Sequence, residues 1–228
     1  MRQKRAAPFA CHLVIMAKRP IAGRVKTRLA REIGIVEATR FYRVTTRALF
    51  MRLAHLPFWQ THLAVSPDTE TTSPMWPRHI RRIPQGGGDL GARMHRPMRK
   101  LRPGPVCVIG TDIPAIRVTD VRKAFRALGR CDAVFGPADD GGFWLVGMRR
   151  RPRLIFPYDG VRWSRCDTLA AVEANLSNFR VARTTRLSDV DNRADLIRCG
   201  GAFGRLIQGP ATGPSPKDGA GRDAESAG

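Results

Sequence analysis

The stretch Val106-Cys107-Val108-Ile109-Gly110-Thr111-Asp112-Ile113-Pro114 decides how this chain is read. Its four leading apolar residues form a short run suited to a strand buried on both faces, and Gly110 ends it. Asp112 then stands just past the strand's carboxyl end. In an open α/β sheet that end faces the ligand crevice, so a carboxylate there serves a site rather than the core. A hard cation such as Mg²⁺ is commonly carried by one or two carboxylates together with substrate phosphates, which makes Asp112 a candidate metal ligand and catalytic group. The competing reading is structural: Asp112 or Thr111 caps the helix that follows Pro114.

Strand and helix signals alternate on either side of this stretch. A strand at 13–17 leads through the turn KRPIAGR into a helical pattern beginning near Lys26. Gly34 interrupts the pattern, which resumes through Val36, Phe41, Val44, Leu49 and Leu53 until Pro57 stops it. Strands are expected at 61–65 and 80–83. Gly86, Gly87 and Gly88 then lead into a helix at 89–101 that Pro97 should bend or interrupt. Beyond Pro114 come a helix at 118–128, strands at 132–135 and 143–148, a helix at 168–176, a strand at 179–183 and a helix at 193–199. This order predicts an α/β fold: a single-domain, mostly parallel, doubly wound sheet with helices on both faces. Residues 1–10 read as a basic N-terminal extension and 11–208 as the domain. Residues 209–228 lack any large apolar side chain and are expected to form a disordered tail.

The 228 residues carry 40 Lys or Arg against 19 Asp or Glu, a formal net charge of +21. Such an excess ordinarily points to nucleic acid. Residues 1–60 hold 13 Lys or Arg and 2 acids, so part of the excess is clustered, but the rest is spread along the chain. No basic stripe is interleaved with aromatic residues, so stacking platforms for bases are missing and nucleic acid is disfavoured as a partner. The cysteines, Cys11, Cys107, Cys131, Cys166 and Cys199, are odd in number and contain no C-x-x-C, which argues against a disulfide framework or a zinc site and fits a reduced cytoplasm. The first twenty residues imitate a signal peptide, but Pro8 and His12 interrupt the apolar run and it ends in a Lys/Arg-rich turn. No stretch approaches the ~18 apolar residues of a membrane span. The expectation is a cytoplasmic protein.

Four further segments carry chemistry. AKRPIAGRVKTRL, at 17–29, gathers Lys18, Arg19, Arg24, Lys26 and Arg28 where a strand gives way to a helix, a place where cations and free backbone N–H groups cradle phosphates. It lacks the glycine spacing of both G-x-G-x-x-G and G-x-x-x-x-G-K-[ST], which disfavours a standard dinucleotide fold and a Walker ATPase. QGGGDLGARM, at 85–94, lets backbone approach a ligand closely through Gly87 and its neighbours, while Asp89 borders that ligand or caps the helix. GPADDGGFWLVG, at 136–147, offers Asp139 and Asp140 to a metal-bound water, a sugar hydroxyl or an acceptor, or else forms a tight turn. SDVDN, at 188–192, supplies Asp189 and Asp191, of which one caps a helix while the other faces the site.

These segments, with RWS at 162–164, resemble in order an uncharacterised bacterial family of glycosyltransferase-A-type, nucleotide-diphospho-sugar transferase-like proteins, some named as arsenosugar-biosynthesis glycosyltransferases. The resemblance runs from about Leu13 to Cys199. The first loop is also similar to that of phospholactate guanylyltransferases, whose K-T-R-L or K-S-R-L segment matches 26–29. The resemblance implies that Lys26 and Arg28 meet nucleotide phosphates, that Gly87 and its neighbours near Asp89 border the base or ribose, and that Asp112 and Asp191 hold Mg²⁺ or Mn²⁺; Lys18, Arg24, Asp89 and Thr111 complete the candidate nucleotide-binding set. Asp112 and Asp140 are the catalytic candidates, Asp140 to orient or deprotonate a small-molecule acceptor. The chain departs from a D-x-D pair, since Ile113 and Pro114 follow Asp112. Two reactions are therefore expected to compete: glycosyl transfer from a nucleotide-sugar, and nucleotidyl transfer from a nucleoside triphosphate with pyrophosphate release. A basic nucleic-acid-binding protein without catalysis is the alternative from another class, and a ligand-binding relic without turnover is a third.

Overall fold

The computed structural model describes residues 10–200. The expected tail at 209–228 and all but the last residue of the expected extension at 1–10 lie outside them. The strands are β1 (His12–Lys18), β2 (Gln60–Ser66), β3 (Arg81–Pro84), β4 (Val106–Ile109), β5 (Ala133–Pro137), β6 (Phe143–Met148) and β7 (Val181–Arg183). They form one sheet in the order β3-β2-β1-β4-β6-β5-β7. All pairings are parallel except those of β6, which runs antiparallel to both β4 and β5. The reversal follows from the short Asp-Asp-Gly-Gly turn, which can return the chain only as a hairpin.

Alternation along β1 sends successive side chains to opposite faces. Leu13 and Ile15 pack with Leu49 and Leu53 of α2 (Ile35–Leu53) and with Val121 and Ala124 of α4 (Val118–Ala127). Val14 packs on the other face with Met94 and Met98 of α3 (Leu90–Lys100) and with Leu169 and Val172 of α5 (Thr168–Ala174). The doubly wound arrangement, with helices on both faces, is therefore present. A third cluster joins Leu29 of α1 (Thr27–Ile33), Phe41 of α2 and Leu196 of α6 (Arg193–Cys199) around Val190. That cluster pins the SDVDN segment against the first loop, although more than 150 residues separate them.

Three expectations need correction. The helix containing Pro97 is not interrupted: α3 runs through it, with Pro97 and Met98 buried. Packing against the sheet outweighs the one ladder hydrogen bond that proline removes. Neither Thr111 nor Asp112 caps the helix after Pro114, because α4 begins at Val118 and its cap is Arg117, whose backbone N–H donates to Asp120 Oδ2 at 3.0 Å. Neither acid of SDVDN caps α6; Asn192 does, accepting from the Asp195 backbone N–H at 2.9 Å. A short 3₁₀ helix at Asp68–Thr72 lies between β2 and β3.

Candidate active site

The carboxyl ends of β1 and β4 open into a cavity of about 540 Å³. Lys18, Arg24 and Lys26 reach it from the first loop, Thr111 and Asp112 from the loop after β4, and Asp140, Asp189 and Asp191 from the β5–β6 turn and the segment before α6. Lys26 stands at its centre of charge. This residue caps α1 in the left-handed conformation, with φ 47° and ψ 47°, a strained backbone for a side chain with a Cβ and one that clusters at functional sites. Its ammonium lies 2.8 Å from Asp112 Oδ1 and 3.1 Å from Asp191 Oδ1, with the side chain only 5% exposed. Burial alone lowers a lysine pKa, but here the two carboxylates outweigh it and the pKa stands above the ordinary value.

Arg28 takes the other Asp191 oxygen at 3.2 Å. Its side chain is largely exposed and does not line the cavity, so the K-T-R-L segment presents one cation inward and one at the rim. Tyr42, which the sequence reading passed over, braces this side. Its hydroxyl accepts from the Lys18 backbone N–H at 2.9 Å and from Thr111 Oγ1 at 3.2 Å, and donates to the Lys18 carbonyl at 3.0 Å. The end of β1 is thereby tied to the loop carrying Asp112. Only the helical spacing of Tyr42 with Leu49 signalled it, and that pattern is equally that of a core residue.

The opposite wall comes from the glycine-rich segment and the RWS loop. Asp89 caps α3, accepting from the Ala92 backbone N–H at 2.8 Å, and its second oxygen accepts from Trp163 Nε1 at 3.1 Å. The Ala92 and Trp163 bonds hold its pKa below the ordinary carboxylate value. Asp89 and Gly87 lie on the exposed rim rather than in the lining; the Gly87 carbonyl accepts from Arg96 Nη2 at 2.8 Å. Gln85, Arg93 and Trp163 line the cavity and were not singled out from the sequence.

Asp140 lines the cavity and also forms the turn, accepting from the Gly142 backbone N–H at 2.9 Å. Asp139 lies outside the lining, within hydrogen-bonding reach of Ser188. Burial first, then the charges of Asp191 and Asp140, raise the pKa of Asp189. Among the described residues no group of three or more His, Cys, Asp or Glu side chains is placed to hold a metal ion. The donor chemistry of Asp112 and Asp191 nevertheless fits a hard divalent cation, because both carboxylates already converge on one cationic nitrogen, and such ions are held by one or two carboxylates with phosphate and water completing the shell. No helix among the described residues is long and apolar enough to cross a membrane.

Residues 49–165 match the profile of a family described as uncharacterized proteins conserved in bacteria (DUF2064), and the chain belongs to that family. No curated protein matches the sequence. Among solved structures, a protein from Desulfovibrio desulfuricans G20, provisionally named a nucleotide-diphospho-sugar transferase, is 26% identical with a TM-score of 0.75, the alignment covering 87% of this chain and 94% of that one. The 4-diphosphocytidyl-2C-methyl-D-erythritol synthase of Anaerococcus prevotii DSM 20548 shares the fold at 13% identity and a TM-score of 0.52, over 83% of this chain and 95% of its own. Rv0371C of Mycobacterium tuberculosis H37Rv, solved in complex with manganese, aligns at 14% identity and a TM-score of 0.50, over 89% of this chain and 100% of its own. The expected glycosyltransferase-A-type, nucleotide-diphospho-sugar transferase-like architecture is thus found.

Proposed function

We propose that this member of the family is a transferase dependent on Mg²⁺ or Mn²⁺ that takes a nucleotide-sugar and passes its glycosyl group to a small-molecule acceptor. The observation that carries this reading is the convergence of Lys26, Asp112 and Asp191 at the carboxyl ends of the strands. Lys18, Arg24 and Lys26 would bind the donor's phosphates, with Arg28 at the rim, Thr111 beside them, and Gly87 and Asp89 bordering the base or ribose. Asp112 and Asp191 would hold the cation, which supplies positive charge against the departing diphosphate. An acceptor oxygen attacks the sugar's anomeric carbon, the bond from that carbon to the diphosphate breaks, and the nucleoside diphosphate leaves with the bonding pair. The acceptor proton passes to Asp140 or Asp189; the raised pKa of Asp189 suits a general base working nearer neutrality. Catalysis is otherwise positional and electrostatic, with no covalent intermediate.

The single Asp112, followed by Ile113 and Pro114 where a D-x-D pair would stand, supports a second reading, nucleotidyl transfer from a nucleoside triphosphate to a phosphorylated acceptor. The products separate the two. Purified protein is incubated with Mn²⁺, a panel of nucleotide-sugars and triphosphates, and a metabolite extract, then assayed for nucleoside diphosphate and for pyrophosphate. Nucleoside diphosphate that forms only with acceptor and disappears in Asp112→Asn supports glycosyl transfer. Pyrophosphate with the same dependence replaces it with nucleotidyl transfer.

A further inference from the structure

Arg93 also lines the cavity, a cation that the assignment above leaves unused. It belongs to α3, and Phe143 and Trp163 are among the other residues of the lining. One terminal nitrogen of its guanidinium donates to Gln85 Oε1. Gln85 is itself only 3% exposed, and its amide nitrogen donates to the carbonyls of Ala17 at 3.2 Å and Ala64 at 2.8 Å. The whole amide is committed, and it fixes the guanidinium to the ends of β1 and β2. The Nε of Arg93 is buried and has no hydrogen-bond acceptor among the described residues. No carboxylate of those residues lies within ion-pair distance of it, whereas the Lys26 ammonium has two. A guanidinium does not shed its proton in a protein, and a partly buried cation with an orphaned donor is stabilised when a ligand brings the opposite charge.

Resting on the transferase reading above, we propose that Arg93 binds an anionic group, a carboxylate or a phosphate, carried by the acceptor, with Gln85 as its positioning residue. The donor's phosphates belong to the first loop, so the anion facing Arg93 is a different one. The guanidinium is planar and offers donors in a fork, the geometry that carboxylate and phosphate oxygens match. Phe143 and Trp163, whose ring centroids lie 6.4 Å apart, give the cavity an apolar flank. The acceptor class this describes is a small molecule with one anionic end and an apolar or flat body.

The test uses the arginine Nε–Hε resonances of the full-length protein, with Arg93 identified by the signal lost in Arg93→Lys. The protein is saturated with Mg²⁺ and the tightest-binding member of a panel of nucleotide-sugars, supplied without acceptor, which occupies the first loop. Inorganic phosphate, acetate and uncharged glycerol are then titrated separately. The expected result is a saturable shift of the Arg93 signal with phosphate or acetate and none with glycerol; which anion acts identifies the group. In Arg93→Lys, followed by calorimetry because the Arg93 signal is gone, that anion should bind about tenfold more weakly, as for a lost hydrogen bond to a charged group, while nucleotide-sugar affinity is unchanged. No shift with either anion overturns the assignment. So does a loss of nucleotide-sugar affinity in Arg93→Lys, which would place Arg93 on the donor. If no nucleotide-sugar binds the unmodified protein, the glycosyl-transfer reading falls, and the acceptor assignment falls with it.

Discussion

Lys26 and Arg28 look equivalent in the sequence, two residues apart in one basic segment, yet they occupy different electrostatic environments. Lys26 is buried between two carboxylates, whereas Arg28 reaches only Asp191 from the solvent side. Lys26→Ala should weaken a bound nucleoside triphosphate by about 1.5–3 kcal/mol, the range for hydrogen bonds to charged groups. Arg28→Ala should cost under about 1 kcal/mol, since exposed pairs are screened by water and salt. Calorimetric titration with a triphosphate and with its parent nucleoside checks both: the nucleoside should bind the variants as it binds the original, and an equal loss for both ligands would take Lys26 off the phosphates. The candidate acids were legible in the sequence because each follows a strand or opens a turn, where side chains point out of the core. Tyr42, Gln85 and Arg93 were not, because their roles depend on long-range pairing. Gln85 meets the backbone of residues 68 and 21 positions earlier, and no local pattern encodes that.

At the level of elements, β1 and β2 bury a histidine pair near their amino ends, with His12 Nδ1 3.1 Å from His62 Nε2. Burial, then the neighbouring charges of His12 and Arg81, push the His62 pKa down to about 4. The folded chain therefore keeps His62 neutral where the unfolded chain would bind a proton. Its contribution to stability is complete above the ordinary histidine value and is lost as pH falls from there toward about 4. The melting temperature should drop through that window, and His62→Gln should flatten the drop; parallel pH curves for the two proteins would refute this. A second element-level prediction concerns the β5–β6 turn. Gly141 has φ +83°, and a Cβ there would stand 1.9 Å from the Cys166 carbonyl oxygen. Gly141→Ala should separate the turn carrying Asp140 from the loop carrying Trp163, lowering the melting temperature and nucleotide affinity together, and an unchanged melting temperature would show that the two segments do not depend on this contact. The places of the strands along the chain were readable because each core strand is an apolar run bounded by glycine, proline or charge. The continuity of α3 through Pro97 was not, since it depends on what the helix packs against.

For the molecule as a whole, the net charge of +21 is the feature most open to misreading. The fold draws part of that charge to one end of the sheet, where Lys18, Arg24 and Lys26 meet Asp112, Asp140, Asp189 and Asp191 in one cavity. A surface built to track a nucleic-acid backbone has no use for four carboxylates among its cations, whereas a phosphate and metal site needs both signs together. The order of the motifs made the fold class legible, but the direct contact of Lys26 with Asp191, 165 positions away, became visible only once α1, α2 and α6 packed around Val190. On the proposed function, this contact marks a metal-assisted nucleotide site. The most direct test is calorimetric titration of the full-length protein and of Asp112→Asn with a panel of nucleotide-sugars and nucleoside triphosphates, each with and without Mn²⁺. At least one of these ligands should bind more tightly with Mn²⁺, and Asp112→Asn should abolish the gain while melting at a similar temperature. Affinity for every ligand that is the same in both proteins, with Mn²⁺ present, would contradict it.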